Sequence, residues 1–208
     1  MADVLDLYTE PDEPKRPKVN CDETSKPLIR EAREPLPAAP GRPARYDYEY
    51  ERNGPRHLFM FIEPPAGWRH MTVTERRTRQ DVAHQRPWLV DEGYPEATVI
   101  RVVMDNRNTH TPASLYETFP PAEARRLLKK REFHDPPKHG SWLNRAEIEL
   151  SILSRQCLAR RIPDDAMLRR EITAYEDTRH AAKATMTWRF TTTDARANLH
   201  HLYPSTSK

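Results

Sequence analysis

Two stretches of this chain are apolar almost throughout, His57-Leu-Phe-Met-Phe-Ile-Glu63 and Ala97-Thr-Val-Ile-Arg-Val-Val-Met104. Each is too short for a self-burying helix, and both are rich in β-branched or aromatic side chains. Such runs form strands covered on both faces, so the rest of the chain must supply layers on either side of a sheet. The flanking patterns do so. Over Arg45–Arg52, Tyr46, Tyr48 and Tyr50 alternate with Asp47, Glu49 and Glu51, which predicts a strand, and Asn53-Gly54 predicts a hairpin turn into the next. Pro64-Pro-Ala-Gly67 turns the chain ahead of an alternating run over Trp68–Glu75. Thr78 and Asp81 can cap a helix reaching about Glu92, kinked at Pro87. Further helices are predicted over residues 2–8, Pro121–Lys130, Asn144–Arg160 and Pro163–Lys183, and short strands at Val19–Cys21 and Glu132–His134. Interleaved prolines and arginines from Pro27 to Pro43 suit an extended arm. Strands first, then strands alternating with helices, imply an α/β domain on a mixed sheet.

Composition removes whole classes of function. The 208 residues fit one domain with short extensions, 37% apolar and 31% charged. The five glycines never fall within ten residues of one another. A phosphate-cradling glycine loop is therefore excluded, and no nucleotide cofactor is expected. Cys21 and Cys157 form no C-x-x-C pair, so neither a zinc ribbon nor a disulfide framework is available, and the nine histidines lack ligand spacing. The longest unbroken apolar stretch, Leu58–Ile62, is far short of a membrane span, and the first residues lack a secretion signal. A soluble, intracellular protein with no membrane partner is expected.

Net charge is only +3, but it is unevenly spread. Residues 1–24 carry seven acids against three bases, and residues 125–170 carry twelve bases against six acids. The basic stretch can be a solvated set of helix faces or a surface that follows a phosphate backbone.

Three carboxylates stand out. Two strands run into an aspartate, at Asp22 and Asp105, and ligands of open α/β sheets bind beyond the carboxyl ends of strands. Acids in such places also serve as turn formers. On the helix from Asn144, the residues Leu143, Ala146, Leu150, Leu153, Cys157 and Leu158 share a stripe; Glu147 falls within it and Glu149 at its edge. A carboxylate facing a core must be paired, protonated or metal-bound. Asn144 and Glu147 also have the spacing of a capping box, with Leu143 and Ile148 placed for a hydrophobic staple. The two roles are compatible, because a first-turn glutamate near the positive end of the helix dipole stays ionised.

Taken together, Cys21-Asp-Glu-Thr-Ser-Lys26, Asp105-Asn-Arg-Asn-Thr-His110 and Pro137-Lys-His-Gly-Ser-Trp-Leu-Asn-Arg-Ala-Glu147 resemble the DDE transposases of bacterial insertion sequences, within the mariner-like superfamily. The likeness runs from about Val4 to Tyr203 and includes Tyr48–Gly54, Gly67-Trp-Arg69 and Arg189-Phe-Thr191. It implies an RNase H-like fold, a mixed five-stranded sheet flanked by helices. Asp22, Asp105 and Glu147 then hold divalent metal, two Mg²⁺ or Mn²⁺ ions, for cleavage and strand transfer of double-stranded DNA at transposon ends and target. Asn106 and His110 would orient Asp105 or touch DNA, or merely shape a turn; Lys138 and His139 would meet phosphate or face solvent. Asn144 is expected to contact DNA or to support the metal ligands.

The resemblance also divides the chain: a linker remnant over residues 1–17, a catalytic domain over 18–162, and a C-terminal helical extension over 163–208 packed on it. It begins past the helix-turn-helix region of family members, and Lys18 and Asn20 stand where the family's first strand is mostly apolar. The second reading is therefore a truncated, silent remnant that still folds and binds DNA or a full-length transposase. A general RNase H-like nuclease is a third. The implied location is the bacterial cytoplasm, at the nucleoid, and a homodimer is left open.

Overall fold

The computed structural model describes residues 1–104, 113–137 and 140–199. Five strands, β1 (Lys18–Glu31), β2 (Tyr50–Glu63), β3 (Trp68–Thr74), β4 (Ile100–Val103) and β5 (Arg131–His134), form one sheet in the order β3-β2-β1-β4-β5. The first three pair antiparallel, whereas β4 pairs parallel to β1 and β5 parallel to β4. β2 and β3 need only the tight turn at Pro64–Gly67, where Gly67 adopts φ +66, whereas residues 32–49 join β1 to β2. Parallel neighbours need crossovers, and helices supply them. The helices are α1 (Ala2–Thr9), α2 (Arg79–Trp88), α3 (Ala113–Thr118), α4 (Pro121–Lys129), α5 (Arg145–Gln156), α6 (Asp165–Ala181) and α7 (Thr192–Asn198). This mixed sheet with helices around it is the RNase H-like arrangement.

Strand alternation sends successive side chains to opposite faces. Phe61 joins Val19, Ile100, Ala83 and Leu127 on one side, under α2 and α4. Leu58 and Met60 join Met71, Leu150, Leu153, Leu168 and Ile172 on the other, under α5 and α6. A third cluster seats α1: Val4, Leu5 and Tyr8 pack against Val103, Leu143 and Ala195, with Trp188 and Phe190 of the C-terminal segment alongside. Residues 2–9 thus belong to the packed body.

The capping box of Thr78 and Asp81 forms as the spacing predicts, and Pro87 lies in the last turn of α2, which widens into a π turn over Leu89–Gly93. Three expectations fail. Asn53-Gly54 is not a hairpin turn: β2 runs straight through it, and the β1–β2 register shifts between Pro27 and Ile29, opposite this pair. Gly54 takes φ +76, as a glycine bulge requires. Residues 45–49 carry no strand, and Tyr46 and Tyr48 are exposed. β1 does not stop at Cys21 but continues to Glu31.

Nor is β1 disrupted by its polar residues. The Lys18 ammonium donates to the Glu10 carbonyl and lies 3.1 Å from the Asp12 carboxylate. The buried Asn20 amide donates to the Tyr8 hydroxyl. A polar residue in a central strand costs little once partnered, and α1 with the segment after it partners the Lys18 ammonium and the Asn20 N–H, leaving Asn20 Oδ1 buried without a partner.

Candidate active site

The site begins with unequal pairing along β1. Its parallel ladder with β4 covers only Lys18–Asn20, whereas its ladder with β2 continues past Lys26. From Cys21 onward one edge of β1 has no strand beside it among the described residues. Asp22 sits there, partly exposed, and accepts the backbone N–H of Glu23 at 2.8 Å.

That edge is filled by the N-terminus of α5. Asn144, buried to 1% exposure, caps the helix by accepting from Ala146 N at 3.2 Å and donates its amide to the Cys21 carbonyl at 2.8 Å. One side chain therefore starts the helix and ties its first turn beside Asp22. Its amide is spent inside the protein, on the Cys21 carbonyl and the Ala146 N–H.

Asp22 and Glu147 consequently line one open cavity of about 400 Å³, together with Glu23, Thr24, Leu150, Ser151, Ser154 and Arg155. The predicted capping box does not close. Asn144 bonds Ala146 N, and no described residue donates to the half-buried Glu147 carboxylate. Ile148 is exposed, so the staple is absent too. The dipole of α5 still favours an ionised Glu147.

The wheel assignment of the two glutamates is corrected. Glu149 is the fully buried one, and Glu147 only borders the core. The Glu149 carboxylate takes Arg179 Nε and Nη2 at 2.9 Å each, the Tyr175 hydroxyl at 2.8 Å and Arg69 Nε at 3.0 Å. This ion cluster links α5 to β3 and α6.

Asp105, Asn106, His110, Lys138 and His139 lie outside the described residues. Asp105 follows Met104, whose side chain borders a narrow cavity beneath Asp22 that is also lined by Cys21, Glu23 and Arg86. Burial lowers the Arg86 guanidinium to about 10 and that of Arg131 to about 9, while it pushes the Cys21 thiol up. Sequence reading passed over Arg86 and Arg155; no local pattern distinguishes them from other arginines.

Half of the twelve bases of the basic stretch are paired with an acid or buried. Arg126 pairs with Asp91 and Glu123, Arg160 with Glu171, Arg161 with Glu31 and Arg169 with Asp165. Arg131 and Arg145 are buried, Arg145 lying 3.7 Å over the Tyr8 ring.

No group of three or more His, Cys, Asp and Glu side chains suited to a metal occurs among the described residues. Three carboxylate residues, Asp22, Glu23 and Glu147, line the cavity, and carboxylates are hard oxygen donors, the type Mg²⁺ and Mn²⁺ select. Glu147 is not consumed by a described partner, so the donor set fits such an ion.

Residues 18–169 match the DDE superfamily endonuclease family, and the chain belongs to it. No curated protein matches. Among solved structures it is similar to the Mos1 transposase paired-end complex with left transposon end, at 15% identity and TM-score 0.40, over 84% of this chain and 57% of that one. It is also similar to the Mos1 strand transfer complex, at 14% identity and TM-score 0.38, over 83% and 56%. The chain thus spans less than two thirds of either.

Proposed function

We propose that this chain is the catalytic domain of an insertion-sequence transposase that cuts and joins double-stranded DNA, with Asp22, Asp105 and Glu147 holding Mg²⁺ or Mn²⁺. The observation that carries the reading is the meeting of Asp22 and Glu147 at one cavity, although they lie on β1 and α5 and far apart in the chain. The register adds support. β1 and β4 pair with Asn20 opposite Val103, and the same offset separates Asp22 from Asp105 in the sequence.

The ions would supply water activation and stabilisation of the leaving 3′ oxygen in an in-line displacement at phosphorus. This chain's residues do the positioning. β1 fixes Asp22 through its β2 ladder, Asn144 fixes the first turn of α5 against Cys21, and the cavity stays open enough for a DNA backbone to enter. A silent remnant is the competing reading; the partners of the Lys18 ammonium and the Asn20 amide N–H weigh against it, and the buried, unpartnered Asn20 Oδ1 weighs for it.

The test is twofold. Mn²⁺ should raise the melting temperature of the wild type and not of Glu147→Gln. Metal-dependent nicking of plasmid should vanish in Asp105→Asn at unchanged melting temperature. Nicking at the wild-type rate in that variant would refute the assignment, and DNA binding without any nicking would favour the remnant.

A further inference from the structure

The groove lined by Asp22 and Glu147 continues along α5, where Glu147, Ser151, Ser154 and Arg155 line the same wall. Helical spacing of three and four residues puts them on one face. Arg155 is exposed, and its Nη1 donates to Ser151 Oγ at 2.5 Å, so the guanidinium folds back along the helix toward Glu147. No carboxylate among the described residues forms an ion pair with it. That separates it from Arg126, Arg160, Arg161 and Arg169, each held by an acid. A hydroxyl partner orients a guanidinium without cancelling its charge. The cation therefore remains available to an anion in the groove.

Resting on the proposed nuclease reading, we infer that Arg155, oriented by Ser151, is a phosphodiester-binding site that seats a DNA backbone phosphate flanking the one at the carboxylates. Ser151 stands four residues from Glu147, about 6 Å along the axis. A DNA strand advances about 3.4 Å per nucleotide, so the phosphate held at Arg155 lies roughly one or two nucleotides from the reacting one. Guanidinium is suited to the task because its fork can donate two hydrogen bonds to phosphate oxygens.

The experiment measures duplex DNA affinity against salt for the full chain, using a 30-base-pair oligonucleotide, with Arg155→Gln, Arg155→Lys and Arg170→Gln. Arg170 is exposed on α6 and outside the groove, so it controls for net charge. Arg155→Gln should bind on the order of tenfold more weakly at low salt. It should also lose about one from the log–log salt slope, as expected when one phosphate contact goes. Arg155→Lys should keep the slope, Arg170→Gln should resemble wild type, and all should keep the wild-type melting temperature and Mn²⁺ stabilisation. An Arg155→Gln slope equal to wild type, or an equal loss in Arg170→Gln, overturns the proposal while leaving the metal site standing. Loss of the Glu147-dependent Mn²⁺ response in the wild type, with the Arg155 slope change intact, would instead sink the nuclease reading and keep the phosphate site.

Discussion

Asn144 carries two separate duties with one amide: it caps α5 and satisfies the carbonyl of Cys21, next to Asp22. Asn144→Ala should cost about 1–3 kcal/mol in urea unfolding, combining a lost cap with an orphaned buried carbonyl. The same change should weaken Mn²⁺ stabilisation even at temperatures where the variant is fully folded, because the first turn of α5 loses its tie to β1. The choice between Glu147 and Glu149 shows what one residue's sequence context conceals. The stripe read from the sequence included Leu143 and Leu158, which lie outside α5. Those two rotate the apparent core face toward Glu147. Ala146, Leu150 and Leu153 alone leave Glu149 the closer of the two. Its partners, Arg69 and Arg179, come from β3 and α6 and have no sequence proximity to announce them.

Elements were legible where the signal was local. Thr78 and Asp81 cap their helix, and the run Leu58–Ile62 forms the buried C-terminal part of β2. They were misread where pairing overrode it: Asn53-Gly54 is a turn signal, yet β1 continues far enough to hold β2 straight, and the extra residue becomes a bulge. Between elements, the Arg69–Glu149–Arg179 cluster fixes how α5 lies against β3 and α6. Its Arg69 and Glu149 side chains are fully buried. Breaking such a pair leaves an uncompensated charge in the interior, so Glu149→Gln should cost about 3–5 kcal/mol in urea unfolding. Replacing the exposed Glu75 with Gln should change stability by less than about 0.5 kcal/mol, which makes it a fair control.

At the scale of the molecule, α6 closes the outer edge of the sheet. β3 is the terminal strand, and an open edge invites pairing with another chain. Three side chains of α6 occupy its backbone groups. His180 Nε2 accepts from Arg69 N at 3.1 Å, Glu176 Oε1 accepts from Met71 N at 2.7 Å, and Arg169 donates to the Val73 carbonyl at 2.8 Å. Helix α6 therefore substitutes for a sixth strand, a role invisible in its amphipathic pattern. It also makes the edge pH-sensitive. Burial raises the Glu176 carboxyl to about 7, Asp177 adding to the rise while Met71 N–H and Arg69 oppose it. Burial, then His180, lowers the neighbouring His70 to about 4. A carboxyl raised in the fold stabilises below its unfolded value of 4.5, and that contribution is lost as pH climbs through about 7. A histidine depressed in the fold behaves oppositely, with stability complete above 6.5 and lost as pH falls toward 4. Between pH 4.5 and 6.5 the two trends offset each other in the wild type. Glu176→Gln keeps an oxygen for Met71 N but cannot ionise, so it removes only the first trend. Its melting temperature relative to wild type should climb from pH 5 to pH 8, by an amount equivalent to on the order of 1–2 kcal/mol after solvent screening. A difference that stays flat across that range would mean that Glu176 ionises freely and that α6 does not bury it against the edge.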